Sequence, residues 1–546
     1  MLPEAQTYED LRGRFRWEVP TFYNIGVDVC DRWAEREPDR LALVYLEADG
    51  AVEEISFGAL RARSNRLGNL LRSLGLGPGE RLGVLLPQMP ETALAHIAAH
   101  KLGAVSIPLF MLFGEEALSY RLGDAGAKLV ITNREGAAKL AGLRKALPDL
   151  EAVLVVEGQA EDCLEMAPLL AEQSEELEPV RTRAEDPAIL IYTSGTTGQP
   201  KGALHAHRVL LGHLPGVEMA FDLFPQAGDK LWTPADWAWI GGLLDVLLPG
   251  LHHGVPVVAC RFAKFTAEAA FSLLESQAIR NAFLPPTAMK MMRTLEAPEK
   301  RWSLSLRSVA SGGETLGSEL LAWGRQTLGV TINEFYGQTE CNVVVSSCDA
   351  VMQGRAGIMG RPVPGHEVAV ISEAGDILGE GELGDIAVRA PDPVMFLKYW
   401  NNPEATAAKY RGDWLVTGDR GCLESGGWIR YVGRDDDVIT SAGYRIGPGE
   451  IEDCLLGHPA IAMAGVVGKP DPQRTEIVKA YVVLAEGRNG SPDLAREIQD
   501  WVKTKLAAHE YPREVAFVDA LPLTTTGKII RRELRDQARR ELETSA

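Results

Sequence analysis

The stretch AILIYTSGTTGQPKG, Ala188 to Gly202, sets the reading of the whole chain. Ala188 to Tyr192 is a short apolar run of strand length that ends at turn-forming residues. Thr193 to Gly202 then offers four small hydroxyl side chains, on Thr193, Ser194, Thr196 and Thr197, with Gly195 and Gly198 among them. Lys201 follows, and Gly202 closes the segment. Glycine brings backbone N–H groups close to phosphate oxygens, the hydroxyls add donors, and Lys201 adds charge. The spacing excludes a P-loop of the form GxxxxGK[ST]. Counted from Gly195, Pro200 stands where the second glycine belongs, and Gly202 replaces the final Ser or Thr. A flexible linker is the plain alternative, but linkers are rarely set between a buried strand and a patterned helix.

Working outward, strand-like and helix-like segments alternate. Gly58 to Leu74 carries apolar residues at Leu60, Leu67, Leu70, Leu71 and Leu74 and stops at Gly75, which predicts an amphipathic helix. Glu91 to Leu102 predicts another. Leu82 to Leu86, Val105 to Pro108, Leu129 to Thr132 and Ala152 to Val156 are short apolar strands. This alternation predicts an α/β fold with mostly parallel sheets in a large, multi-subdomain N-terminal domain over residues 1–433. Gln159 to Glu185 is acidic and loosely patterned, a surface excursion. A small α/β domain is expected over 434–546, with strands at Ala464–Val467 and Val478–Leu484 and a helix at Asp493–Leu506. The Gly- and Asp-rich stretch GRDDDVITSAGYRIGPGEIED between them suits a hinge or loop.

The chain has 546 residues, too many for one ordinary core, and a formal charge of −19. Such acidity disfavours nucleic acid as a partner, yet allows small anions held by local cations. The start shows neither a basic segment nor an apolar run, and no stretch reaches the roughly 18 apolar residues of a membrane helix. The seven cysteines are scattered without a CxxC pair, so reduced thiols and a cytoplasmic location are expected. His205, His207, His252 and His253 lack the companions of a metal site. Trp237 and Trp239 suit core or pocket wall better than redox work.

TSGTTGQPKG resembles the phosphate-loop signature of the adenylate-forming superfamily, which includes acyl-CoA synthetases, peptide-synthetase adenylation domains and firefly-type luciferases. Further segments match in the family's order. SGGET, Ser311 to Thr315, looks like the adenine segment, implicating Gly313, Glu314 and Thr315. FYGQTE, Phe335 to Glu340, resembles the segment of Tyr336, Gln338, a phosphate-binding Thr339 and a Mg²⁺-linked Glu340. WLVTGD ending at Asp419, and GRDDD with Arg434 and the hinge residue Asp436, resemble the ribose and hinge segments. PLTTTGK resembles the loop of the mobile catalytic lysine, here Lys528.

The resemblance implies two half-reactions. A carboxylic acid and ATP give acyl-AMP and pyrophosphate, and coenzyme A then takes the acyl group. The roles are chemically coherent. Two anions must meet, so Mg²⁺ at Glu340, the Thr193–Lys201 donors and Lys528 would neutralise their repulsion. Asp419 offers two acceptor oxygens to the two hydroxyls of a ribose.

SAGYRIGPGEIE resembles the synthetase form of the hinge loop. There Gly443 would line a pantetheine tunnel, with Tyr444, Arg445 and Lys503 near coenzyme A. PADWAWIGGLLDVLLPG looks like the acyl-pocket segment of acetyl- and medium-chain synthetases, with Trp239 as gate beside Ile240. Glycines at 241, 312 and 337 stand where acetyl-CoA synthetases carry larger residues. They predict a deeper pocket and a monocarboxylic acid larger than acetate. Two alternatives stand beside this reading: a stand-alone adenylating enzyme that loads a carrier protein, and a catalytically silent nucleotide-binding module. The sequence leaves a homo-oligomer open.

Overall fold

The protein was studied as a computed structural model, which describes residues 1–545 except 48–49, 194–198, 263, 315, 435–436, 442–443, 472–473, 507–509 and 525–526. The described residues form four sheets. An eight-stranded sheet holds the strand Pro187–Thr193 beside Val105–Pro108, Arg81–Leu85, Leu129–Thr132 and Ala152–Val155. These strands pair in parallel. Val105–Pro108 and Leu129–Thr132 are buried throughout, as strands covered on both faces must be.

A nine-stranded sheet carries Ser308–Gly312 and Ile332–Gln338 as parallel neighbours. A five-stranded antiparallel sheet includes Trp414–Glu424 and its partner Trp428–Arg434. Past Arg434 the chain builds a separate sheet from Ile439–Ser441, Tyr444–Ile446, Ile461–Asp471, Thr475–Leu484 and Glu514–Phe517. No helix among the described residues is long and apolar enough to cross a membrane.

Two local expectations need correction. The segment after the phosphate-loop signature is not a helix. Lys201–Ala206 is a strand that folds back antiparallel on Pro187–Thr193, pairing Thr193 with Lys201, and the helix Val209–Ala220 comes only after it. Every residue from Gly202 to Ala206 is buried, which suits a central strand. The GRDDD region is not simply loop either, for it contains two short strands and the helix Pro448–Leu456.

The acidic excursion also has structure, including the helix Met166–Ala171. Its following segment lies along the helix Phe57–Ser73. Asn65 donates to the carbonyl of Glu175 at 2.8 Å, and Asn69 donates to those of Ser174 and Glu176. Leu177 fills the space beside Gly68. Polar side chains on that helix thus hold backbone carbonyls that an acidic, weakly apolar segment could not anchor by burial.

Candidate active site

The large sheets bring the carboxyl ends of Pro187–Thr193, Ser308–Gly312 and Ile332–Gln338 toward one cleft, the usual ligand position in open α/β sheets. A cavity of about 1070 Å³ lies there. Residues from the small C-terminal sheet region and from the antiparallel sheet close it.

The strand Ile332–Gln338 divides the cavity because successive side chains point to opposite faces. Tyr336 and Gln338 turn to Asp419. The Tyr336 hydroxyl donates to Asp419 Oδ2 at 2.5 Å, and Gln338 Nε2 donates to the same oxygen at 2.8 Å. Arg434, Asp419's partner across the antiparallel pair, places Nε 3.4 Å from Oδ1. Lys409 Nζ donates to the Gln338 side-chain oxygen, Oε1, at 3.0 Å. Burial raises the Asp419 pKa, and Arg434 works against that shift. The result is a fixed carboxylate with Oδ1 the less occupied oxygen.

Glu340 is buried at the edge of the cavity. Its Oε1 accepts from the Tyr399 hydroxyl, and the ammonium of Lys201 lies 5.3 Å from that tyrosine ring. Oε2 has no hydrogen-bond donor among the described residues. One buried carboxylate with a spare oxygen suits Mg²⁺, which commonly takes one or two protein carboxylates and completes its shell with phosphate oxygens and water.

Lys528 comes from the C-terminal region and enters the same cavity. Its backbone is folded by Thr524. The Lys528 N–H donates to Thr524 Oγ1 at 3.0 Å, and the Thr524 N–H donates to the Lys528 carbonyl at 2.7 Å. The ammonium lies 5.9 Å from the Trp239 ring centroid. Gly313, at φ +94°, lets both in. A Cβ there would stand 3.3 Å from the Trp239 ring and 3.5 Å from Lys528 Cε. Burial lowers the Lys528 pKa, while Glu314 and Asp419 oppose that. Glu314 itself accepts from Thr287 at 3.2 Å. Below, Asp453 accepts from the Ser318 N–H at 3.3 Å, and Gly317 has no Cβ to obstruct it. This contact joins the C-terminal region to the rest of the chain, with Lys528 in the cavity.

Thr193, Lys201, Trp239, Gly337 and Thr339 also line the cavity. Ser194, Gly195, Thr196, Thr197, Thr315, Asp436 and Gly443 lie outside the described residues. Tyr444 and Arg445 lie on a short strand, of which only the backbone is described. Lys503 is not brought in. It sits in the last turn of the helix Pro492–Lys505, its ammonium 5.6 Å from the Tyr511 ring.

The three glycines do not simply leave empty space, because neighbouring atoms occupy it. The missing side chain of Gly312 is replaced by the Phe335 ring, 2.7 Å from where a Cβ would stand. At Gly241 the rings of Phe283 and Trp239 come within 2.9 Å in the same way. Ile240 is buried in the core beside them. At Gly337 a Cβ would meet the Val343 backbone nitrogen at 2.3 Å. The first two glycines admit rings from Phe335, Phe283 and Trp239. The third admits the backbone of the adjoining strand.

Sequence reasoning missed Glu334, which lines the cavity and is 6% exposed. Burial pushes its carboxyl pKa up to about 8, against one N–H bond from Leu316 at 3.3 Å. The signal was available, for Glu334 stands two residues before Tyr336 on the same face of the strand.

Residues 30–400 match the family description "AMP-binding enzyme" and residues 450–528 match "AMP-binding enzyme C-terminal domain". A human protein, the mitochondrial acyl-coenzyme A synthetase ACSM4, is 36% identical over 95% of this chain and 91% of its own. An acetyl-coenzyme A synthetase of Bacillus subtilis is 35% identical over 94% of this chain and 90% of its own. The crystal structure of the anthranilate CoA ligase AuaEII in complex with anthranoyl-AMP superposes with a TM-score of 0.88, at 29% identity, covering 97% of this chain and 99% of that one. With matches at both ends of the chain and relatives along nearly all of it, this protein belongs to the AMP-binding enzymes, in their acyl-CoA synthetase branch.

Proposed function

We propose that this synthetase activates an apolar monocarboxylic acid larger than acetate with ATP and passes the acyl group to coenzyme A. The observation that carries the reading is the entry of Lys528 into the cavity that also holds Asp419, Tyr336, Gln338 and Glu340. In the first step a carboxylate oxygen attacks the α-phosphorus and pyrophosphate leaves. In the second the coenzyme A sulfur attacks the acyl carbonyl, AMP leaves, and the thiol proton goes to solvent.

Asp419 Oδ1 accepts from the ribose hydroxyls while Tyr336 and Gln338 hold its other oxygen. Glu334, protonated below about pH 8, offers one donor and one acceptor to the edge of a base lying on Gly313. Lys528 stabilises the charge that grows as the carboxylate attacks. Glu340 would hold Mg²⁺, which supplies charge neutralisation at the phosphates. Trp239 and Phe335 meet the apolar part of the acid. The relatives' names differ in acyl group, so the preference for acids beyond acetate rests on this aromatic wall.

The small domain, expected from residue 434 with its hinge at Asp436, would rotate for the second step and withdraw Lys528 from the cavity. The seven cysteines are free thiols, which fits a reducing compartment such as the cytoplasm. The test is a panel of acids, with AMP and thioester both quantified, with and without coenzyme A. Acid-dependent AMP and thioester in equal amounts support the reading. Acid-dependent pyrophosphate release without thioester would point to a carrier protein as acceptor. No acid-dependent release at all would mark a silent nucleotide-binding module.

A further inference from the structure

Arg121 is a buried cation that the reaction as derived above does not use. It sits on the helix Glu115–Ala125, is 7% exposed, and lines the same cavity as Thr193 and Lys201. One nitrogen, Nη1, donates to the Ala117 carbonyl at 2.9 Å, and the guanidinium lies 4.0 Å from the Phe113 ring centroid. Nε is buried without a partner, and among the described residues no carboxylate pairs with this side chain. A buried guanidinium is normally ion-paired, because removing it from water without a counter-charge is costly. The ring and the single carbonyl do not neutralise it.

The helix that carries Arg121 is tied to both ends of the segment joining Pro187–Thr193 to Lys201–Ala206. On one side the Tyr120 hydroxyl donates to the Pro200 carbonyl at 3.0 Å. On the other the Tyr192 hydroxyl donates to Asp124 Oδ2 at 2.6 Å. Trp400 and Asn401 also donate to the Asp124 carbonyl, both at 3.0 Å, so this end is fixed from two directions. Asp124 is thereby committed to Tyr192 and Asn401 and leaves Arg121 unpaired. The cation thus lines the same cavity as Thr193 and Lys201, on a helix tied to the chain at both Tyr192 and Pro200.

We propose that Arg121 binds the β- and γ-phosphates of ATP and the pyrophosphate that leaves, as the second cation of this wall after Lys201. The proposal rests on the ATP-dependent acid activation described above. A polyphosphate anchored at its α-end near Asp419 and Lys528 extends toward Lys201 and Arg121. The doubly charged end of the leaving group then supplies the counter-charge that the folded chain lacks. Arg suits this place better than Lys, because its planar fork can meet two phosphate oxygens while its face stays on Phe113.

The experiment compares the parent with Arg121→Gln and Arg121→Lys. Four quantities are measured: binding of magnesium pyrophosphate by calorimetry, KM for ATP in acid-dependent pyrophosphate exchange, inhibition by AMP, and thioester formation from supplied acyl-AMP. Arg121→Gln should weaken pyrophosphate binding and raise the KM for ATP, each roughly 10- to 100-fold. AMP inhibition and the thioester step should stay within about twofold, and Arg121→Lys should recover part of the loss. Unchanged pyrophosphate binding in Arg121→Gln overturns the proposal. So does an equal loss in both half-reactions with a lowered Tm, which marks Arg121 as a packing residue. A selective loss of dicarboxylic acids with pyrophosphate binding intact also overturns it, assigning the cation to the acid. If the parent binds pyrophosphate through Arg121 yet activates no acid, the proposed function fails and the phosphate site stands.

Discussion

The two faces of the strand Ile332–Gln338 differ in how they are built. The face proposed for the nucleotide carries Glu334, Tyr336 and Gln338, which hold their positions through polar partners such as Asp419 and Lys409. The face proposed for the acyl group carries Phe335 and Gly337, whose surroundings are rings and backbone from Phe283, Trp239 and Val343. On the first face chemistry is set by side-chain identity. On the second, shape is set by whatever packs behind. Substitutions on the two sides should therefore fail in different ways.

The largest effect should come from the polar side. Lys528→Ala removes a buried ammonium placed where charge develops, and acid-dependent pyrophosphate exchange should fall on the order of 10²–10³-fold. Thioester formation from supplied acyl-AMP and coenzyme A should stay within a few-fold, because the proposed rotation takes the lysine out of the cavity for that step. Single-turnover assays of both halves check this, and equal loss in both would remove the assigned role.

Gly337 tests the other side. A Cβ there meets the backbone nitrogen of Val343 at 2.3 Å, and a backbone neighbour cannot rotate away. Gly337→Ala should destabilise the fold by about 1–3 kcal/mol, read as a lowered Tm, with little change in the order of acid preference. Gly337→Trp should be worse and should not convert the enzyme to acetate. A stable Trp variant that prefers acetate would restore the acyl-pocket role that the sequence suggested.

Phe335→Leu addresses shape directly. Phe335 fills the space beside Gly312, so a smaller side chain should lengthen the pocket by one or two methylenes. At about 0.8 kcal/mol per buried CH₂, kcat/KM for a longer acid relative to a shorter one should rise up to roughly tenfold. An unchanged chain-length profile would place the acyl chain away from Phe335.

The same contrast explains what could be read from the sequence. The parallel sheets were legible because Val105–Pro108 and Leu129–Thr132 are uninterrupted apolar runs. Tyr336, Gln338, Asp419 and Lys528 were singled out because their short segments resemble those of a known family in the same order, and the fold brings the four into one cavity. Lys201–Ala206 was misread because a small-residue strand lacks β-branched residues and carries a charge and a histidine. What fills the space at Gly241, Gly312 and Gly337 was not legible, because their contacts come from Phe283, Phe335 and Val343, and a list of absent side chains does not say what replaces them. Arg121 was invisible for a related reason. An arginine becomes noteworthy only when it is seen to be buried in the wall of the same cavity as Thr193 and Lys201.

The smallest effect sharpens the comparison within the nucleotide face itself. Glu334 keeps its proton to about pH 8 because burial disfavours the carboxylate and one long N–H bond does not compensate. A carboxyl group with its pKa raised in the folded state binds its proton more tightly there than in the unfolded chain. Its stabilising contribution is full below the ordinary carboxylate range and is lost as pH rises toward about 8. The slope is at most about 1.4 kcal/mol per pH unit. Glu334→Gln keeps one donor and one acceptor in place of the protonated carboxyl but cannot ionise. At pH 6.5 the variant should exchange pyrophosphate within a few-fold of the parent. Between pH 6 and 8.5 the parent's Tm should fall more steeply than the variant's, and the variant should gain in relative rate above pH 8. Thermal melts and exchange rates over that range decide the matter. Parallel pH profiles for the two proteins would mean that Glu334 is ionised at neutral pH, and that the nucleotide face reads a base through a carboxylate after all.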